Sequence, residues 1–401
     1  MTENKQFSSI NTMFGLTLLL MVFTGDLVSP VIPAMIGHSA ADYDGMGLAD
    51  WAFPGFLFVL GMIIPFSIGK RISGGEDNFT IAKHILRNTV SLLIIGVLMI
   101  NSDRVNPELT GIGKNLWTVA MYIGIFLVWF KYTENGRNFF TITGLRLVGT
   151  AILVALIFKF RSGEDANNGS LITSWWGIVG IIGWGYFISA FIYLAIRNRI
   201  LNTIAAMVFF LALNILSQLD LLNFLKIAKP IFGVIIEGSV PLIVLAGLLT
   251  SLILKKYSNT SYWRTVITLA SVGILSITAG LVLRKWFIIS YIETTPSWAL
   301  ICCGISMLLF TLLYYIIDIK KLIGWTFFVK PVGENPFTTY LGISFLYSLI
   351  LTSGVPILFY KQSGVTLVVI IGSVIWTLLI AGMTILLVRY RLKLDLLSES
   401  Y

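Results

Sequence analysis

The sequence predicts an all-α fold, a polytopic bundle of transmembrane helices that forms one integral membrane domain over residues 1–401. Hydrophobic residues make up 57% of the chain and charged residues only 12%, about half the charged share of a soluble domain. The apolar residues are gathered into runs of about 20, the length that a helix needs to cross a bilayer. This composition excludes a soluble enzyme, a disordered chain and a secreted disulfide scaffold.

Twelve apolar runs are predicted to cross the membrane. The first is too long for the core of a signal peptide and lacks a cleavage site of small residues, so we expect it to be retained as a span. Eleven spans are the alternative, because the segment 217–238 and the short eleventh run are ambiguous. In order, the runs cover residues 12–35, 51–69, 85–100, 116–130, 141–158, 174–196, 200–216, 235–254, 263–283, 297–317, 336–351 and 365–388.

Basic residues are divided unevenly between the two sides that twelve spans define. Of the 28 lysines and arginines, 19 fall on the side of the termini and 9 on the opposite side. Because cytoplasmic loops carry the excess of such residues, both termini are predicted to be cytoplasmic. The basic residues of the cytoplasmic loops account for the net charge of +9, so we expect the lipid bilayer as a partner and not nucleic acid.

Tryptophans and cysteines have predicted structural roles. Adjacent Cys302 and Cys303 would point in different directions from one helix, so we expect them to pack in the bundle without forming a disulfide. Tryptophans at span ends favour the headgroup zone. The predicted membrane anchors are Trp175, Trp176, Trp263, Trp286 and Trp298.

Asp26 is an ionisable residue inside the first predicted span. A charge at membrane depth is costly unless it is partnered, so it indicates function. Pro30 and Pro33 follow it closely and would break the helix, which suits a cavity wall or a substrate site. The alternative is that Asp26 has already reached the outer interface and is in contact with water.

The outward-facing polar loop 36–50 carries the candidate catalytic residues His38, Asp44 and Asp50. Histidine titrates near neutrality, and a carboxylate on one ring nitrogen fixes the tautomer and raises the basicity of the other. Such a pair serves as a general base or a nucleophile, whereas the alternative is an ordinary solvated loop. No second histidine or cysteine lies close enough to complete a zinc site, so no metal is expected.

Asn335 and Glu237 are polar residues at the starts of two later predicted spans. Either could contact a substrate within the bundle. A carboxamide at a helix start also serves as a cap, so both interpretations stay open for Asn335.

The run 44–61, DGMGLADWAFPGFLFVLG, resembles the signature of the heparan-α-glucosaminide N-acetyltransferase family, which reads Asn-Gly-Leu-Thr-x-Ala-Asp-x-Val-Phe-Pro-x-Phe-x-Phe-x-x-Gly. Two further stretches resemble bacterial members of that family. They are the TPSW run at 295–298 and the KPVGEN run at 330–335 followed by Thr338, Thr339 and Tyr340. The resemblance therefore extends over most of the chain.

The resemblance implies a membrane enzyme that uses cytosolic acetyl-CoA as co-substrate to acetylate an amino sugar on the other side of the membrane. The catalytic histidine of the family stands shortly before its Gly-Leu-Thr motif, which is the place of His38, and Asp50 or Asp44 would orient it. The sugar would bind near Asp26, Asn335 and Glu237. The inner basic residues Lys70, Arg71 and Arg87 would neutralise the phosphates of CoA.

The chain departs from the family at two places. Residues 9–15 read SINTMFG where the family has Ser-Leu-Asp-x-x-Arg-Gly, and Asp26 stands where the family has an asparagine. Bacterial relatives also accompany amino-sugar utilisation genes and are regarded as inner-membrane transporters. The alternative function is therefore an amino-sugar transporter without catalysis, of the N-acetylglucosamine or N-acetylmuramic acid type. Both alternatives imply a bacterial inner membrane and leave a homo-oligomer open.

Overall fold

The computed structural model describes residues 7–27, 32–132, 139–163, 169–258 and 260–397. Over these residues the chain is a bundle of fifteen α-helices without a β-strand, which confirms the predicted all-α class. The helices are α1 (Ser8–Asp26), α2 (Leu48–Ser73), α3 (Asn78–Ser102), α4 (Pro107–Thr110), α5 (Lys114–Trp129), α6 (Phe139–Lys159), α7 (Gly177–Ile196), α8 (Ile200–Gln218), α9 (Lys229–Ile236), α10 (Ser239–Tyr257), α11 (Tyr262–Leu283), α12 (Pro296–Leu313), α13 (Lys330–Glu334), α14 (Pro336–Ser353) and α15 (Thr366–Arg389).

Ten of the described helices are long and apolar enough to cross a bilayer, so this is a multi-pass membrane protein. Two further helices, α5 with 16 residues and α14 with 18, coincide with the fourth and eleventh predicted runs. Each of the twelve predicted runs therefore contains a helix. The exact number of crossings stays a prediction.

Two predicted boundaries were wrong, each for a local reason, and one ambiguous segment is resolved. Helix α1 ends at Asp26, well before residue 35, and the Pro33 carbonyl then accepts two backbone N–H groups in a turn. Pro30 lies outside the described residues. Helix α3 begins at Asn78 because the Asp77 side chain accepts the Thr80 N–H and caps it. The ambiguous segment 217–238 forms turns and the short α9.

Helices α2 and α10 form the centre of the bundle and lie backbone against backbone. A Cβ atom on Gly61 would stand 1.8 Å from the Val244 carbonyl oxygen, and one on Gly247 would stand 1.7 Å from that of Phe58. Only glycine permits this approach, which is how membrane helices pack closely. Both helices are largely buried in the bundle, so α2 holds Asp50, in its buried first turn, at a fixed place.

The span around α14 is discontinuous. Helix α13 packs on the first half of α1, where a Cβ atom on Gly333 would lie 1.8 Å from the Asn11 carbonyl oxygen. The backbone then leaves the helical conformation at Asn335, with φ −138° and ψ 53°, and α14 starts at Pro336. Proline stabilises the first turn of a new helix and cannot continue an old one.

Contacts between loops agree with a chain that alternates between two sides. We call the side where α1 begins and α15 ends the inner side, and the opposite one the outer side. Described contacts join Asp26 with Lys361, Asp44 with Arg284 and Gln218 with Glu293 on the outer side, and Ser8 with Asp318 and Arg197 with Asn78 on the inner side. Each joins two segments that the twelve-span topology places on one side.

We expect a cysteine placed at Asp42 to react with a membrane-impermeant maleimide added outside intact cells, because Asp42 is exposed on the outer side. A cysteine at the exposed inner residue Lys83 should react only after the membrane is opened. Native Cys302 and Cys303 are free and buried, as predicted, so the background is low. Labelling in the reverse order would overturn the predicted orientation.

Candidate functional site

The loop between α1 and α2 folds back onto the first turn of α2. The N–H groups of Leu48 and Ala49 donate to the carbonyls of Met35 and Ile36, at 2.9 and 3.1 Å. These bonds satisfy two of the donors that a helix start leaves free. Gly47 makes the fold-back sterically feasible, since a Cβ atom there would lie 2.1 Å from the Gly37 carbonyl oxygen. Residues 48–50, predicted as loop, are thus helical.

Asp50 is fully buried in the first turn of α2 and organises the loop. Its Oδ2 accepts the backbone N–H groups of Gly47 at 2.8 Å and Ser39 at 3.1 Å. Its Oδ1 lies 2.8 Å from Nδ1 of His38. The positive end of the α2 dipole further favours a carboxylate at this position. One buried carboxylate therefore fixes both the loop backbone and the histidine ring.

His38 keeps one ring nitrogen available. We assign the proton to Nδ1, because an ionised carboxylate can only accept a hydrogen bond. Nε2 then carries the lone pair, and it has no hydrogen-bond partner among the described residues. The His38 side chain is 52% exposed, in contrast to the fully buried Asp50. This geometry suits a general base or a nucleophile that meets its substrate from the outer side.

Tyr291 covers one face of the His38 ring. The two rings are stacked with centroids 5.3 Å apart and planes 22° apart. Tyr291 in turn meets the Trp298 ring edge-on at 5.5 Å, and the Trp298 indole donates to the Asp50 carbonyl oxygen at 3.2 Å. Burial, with the Asp50 charge nearby, raises the pKa of Tyr291, so its hydroxyl stays protonated.

Trp298 corrects one sequence prediction. We expected it to be a membrane anchor, but it is buried beneath the His38 site at the start of α12. Trp175, Trp263 and Trp286 are exposed, as anchors must be. Sequence periodicity cannot distinguish a membrane anchor from a tryptophan buried in the bundle, because both stand at the end of a span.

Asp44 does not contact His38 and instead clamps a second loop, residues 284–295, onto the first. Its carboxylate accepts from Nε of Arg284 at 2.9 Å and from the Ile289 N–H at 2.8 Å. The Ile289 hydrogen bond is the main cause that lowers the pKa of Asp44, with Arg284 adding to it. The Ser290 hydroxyl donates to the Ala41 carbonyl at 3.0 Å. This clamp holds Tyr291 against His38.

Asp26 lies in a separate cluster at the end of α1. Its carboxylate is fully buried and pairs with the Lys361 ammonium at 2.6 Å. The hydroxyls of Tyr347, on α14, and Tyr360 also donate to it, the latter at 2.6 Å. Asp26 is therefore not in contact with water, although it does lie at the outer end of α1, as the alternative expected. Protein groups enclose the carboxylate, so it does not face an open cavity in this structure.

Asn335 and Glu237 have no described contact with His38, although Asn214 joins the Glu237 carbonyl to that of Thr294 in the second loop. Asn335 stands at the break between α13 and α14, and its amide donates to the Pro331 carbonyl at 3.0 Å. Glu237 ends α9 on the outer side, where its backbone carbonyl accepts from Asn214 at 2.7 Å. Neither side chain is brought to the histidine.

The basic residues expected to bind CoA stand at the other end of the bundle. Lys70 and Arg71 end α2, 20 residues after Asp50, which places them about 30 Å from the histidine site at 1.5 Å per residue. Arg71 pairs with Glu76 at 2.7 Å, and Arg87 lies 3.1 Å from a ring nitrogen of His84 on α3. Lys70 and Arg71 therefore lie at the inner end of the bundle, whereas Arg87 lies nine residues into α3, which begins on that side.

Comparison with known proteins adds no assignment. No family model matches the chain, and no curated protein matches it. The site therefore has to be interpreted from its own geometry.

Sequence reasoning missed Tyr291 and Arg284. Tyr291 lies in a loop of ordinary composition, about 250 residues from His38, and no local pattern distinguishes it. The only nearby signal was the TPSW run at 295–298, which marks the end of the same loop.

Proposed function

We propose that this protein is a membrane-embedded acetyltransferase that transfers an acetyl group from acetyl-CoA to an amino sugar on the outer side of a bacterial inner membrane. The observation that carries the proposal is the His38–Asp50 pair. A buried carboxylate orients a half-exposed imidazole whose second nitrogen is unoccupied. A histidine that only filled a surface loop would not need a fully buried carboxylate as its partner.

His38 supplies the proton transfer in this proposal. Its Nε2 takes the proton from the amino group of the sugar while the amine nitrogen bonds to the acetyl carbon and the carbon–sulfur bond breaks. The imidazolium then returns the proton to the leaving sulfur. Asp50 stabilises the positive ring throughout. Alternatively, His38 Nε2 first bonds to the acetyl carbon while the carbon–sulfur bond breaks and CoA leaves as its thiolate. The sugar amine then bonds to the acetyl carbon, the bond from that carbon to Nε2 breaks, and the amine proton passes by way of Nε2 to the thiolate.

The basic residues on the inner side provide the binding site for the acetyl donor. CoA carries several phosphate charges, and Lys70, Arg71 and Arg87 provide cations where cytosolic CoA would approach. Because Lys70 and Arg71 lie about 30 Å from the histidine site, the proposal requires the thioester end of CoA to reach through the bundle toward His38. That separation is about the thickness of the hydrocarbon core, as transfer across a bilayer demands.

An amino-sugar transporter is the second candidate, and one observation favours it. The span formed by α13 and α14 is broken at Asn335, and transporters commonly build substrate sites at such broken helices. In that case His38 would bind sugar hydroxyls without chemistry.

One experiment separates the candidates. Purified protein in liposomes is given glucosamine, with or without labelled acetyl-CoA on the inner side, and both N-acetylated sugar and internalised sugar are measured. We expect label in the sugar only when acetyl-CoA is present, and none with protein-free liposomes. If the protein moves glucosamine at full rate without an acyl donor and forms no acetylated product, the acetyltransferase proposal is wrong.

A further inference from the structure

An apolar groove runs along helix α14, between α5 and α15, and shares no residue with the His38 site. Its volume is about 390 Å³. Leu349 and Leu392 at its rim are exposed, so the groove opens toward the surface of the bundle. The walls are formed by apolar side chains, chiefly Phe126, Phe345, Leu346, Met383 and Leu387.

The groove is elongated along helix α14. Its lining runs on α14 from Thr338 to Leu349, eleven residues or about 16 Å of helix. Gly342 forms part of the floor, and a Cβ atom there would meet only the ends of two flexible side chains, at 3.4 and 4.0 Å. A glycine at this point therefore keeps open a space that a larger side chain would fill.

Basic residues stand beside the inner end of the groove. The Lys131 N–H donates to the Lys393 carbonyl at 2.8 Å, so the backbones of the two lysines meet there. Apolar atoms of Lys393 line the groove, and no ion pair of its ammonium is found among the described residues. Arg389 and Arg391 lie close in sequence. Among the described residues, the acidic residue closest to Lys393 in sequence is Asp395, which is engaged in an interaction of its own.

We propose that this groove binds an anionic phospholipid of the inner leaflet, with one acyl chain along α14 and the phosphate beside Lys393 and Lys131. The walls match a hydrocarbon chain, the depth runs from the headgroup level toward the membrane centre, and the charge at the mouth matches an anionic headgroup. The inference does not depend on the proposed acetyltransferase activity. It assigns the carboxyl-terminal segment after α15 a role in holding the lipid.

The test is native mass spectrometry of protein taken from vesicles of equal phosphatidylglycerol and phosphatidylcholine. Wild-type protein should retain phosphatidylglycerol in preference. Gly342→Leu, which fills the groove, should abolish the retained adduct, whereas Gly144→Leu on α6, where a Cβ atom meets nothing within 4 Å, should not. Lys393→Gln should lower retention about fivefold, the equivalent of about 1 kcal/mol for one basic group. Lys83→Gln is the matched control: it removes the same charge elsewhere on the inner side and should leave retention unchanged.

Two results would overturn the proposal. Equal retention of the two lipids by wild-type protein would show that the basic mouth selects no headgroup. An unchanged adduct in Gly342→Leu would place the lipid elsewhere. Should Gly342→Leu fail to fold, the comparison of Lys393→Gln with Lys83→Gln still decides, since equal retention by these two variants contradicts a phosphate at Lys393.

Discussion

Replacing His38 with alanine should lower the rate of acetyl transfer by about 10²–10⁴-fold, the usual contribution of a general acid–base group. The loss should appear in kcat, because the ring acts on the proton that moves in the transition state. Asp50→Asn should lower kcat similarly, since an amide neither stabilises the imidazolium nor fixes the tautomer that leaves Nε2 basic. Acetyl transfer from labelled acetyl-CoA to glucosamine provides the measurement.

One matched variant controls this prediction. Asp42→Asn makes the same chemical change as Asp50→Asn in the same loop, at an exposed residue, and should retain nearly full activity. A transporter would respond differently, because a hydrogen bond to a sugar contributes roughly 0.5–1.5 kcal/mol, or about tenfold in affinity. A His38→Ala protein that acetylates at half the wild-type rate would remove the histidine from the mechanism.

Replacing Asp26 with leucine should destabilise the folded protein by about 3–5 kcal/mol, because it leaves the Lys361 ammonium and two tyrosine hydroxyls without their buried partner. The double variant Asp26→Leu with Lys361→Leu should recover most of that loss, since both charges are then removed. Membrane insertion should persist in each, because removing a charge from a span favours it. Thermal unfolding in detergent provides the measurement.

The exposed pair of Asp103 and Lys114 is the control for this effect. Its ions are 3.1 Å apart but lie in contact with solvent, so Asp103→Leu should cost only about 0–1 kcal/mol. If Asp26→Leu and the double variant lost equal amounts of stability, the Lys361 ammonium would not need Asp26 as its partner in the folded protein. A functional defect in a double variant of normal stability would instead favour a direct role of Asp26 in binding substrate.

The sequence by itself determined the fold class, the approximate positions of the helices and the residues at which to seek a site. These features follow from local properties of the chain. A membrane span requires about 20 consecutive apolar residues, and proline favours a break in a helix. The pairing of His38 with Asp50 was also within reach of the sequence, since both lie in one short segment that a helix start closes on itself.

Tertiary structure alone decided which distant groups meet. The choice of Asp50 over Asp44 as partner of His38 depends on the clamp from Arg284 and Ile289, some 240 residues away. The stacking of Tyr291 on His38 and the pairing of Asp26 with Lys361 likewise join segments that no local pattern connects. Hydropathy determines which residues lie in the bilayer. The packing of the helices determines which helix ends become neighbours, and it depends on close contacts such as that of Gly61 with Val244.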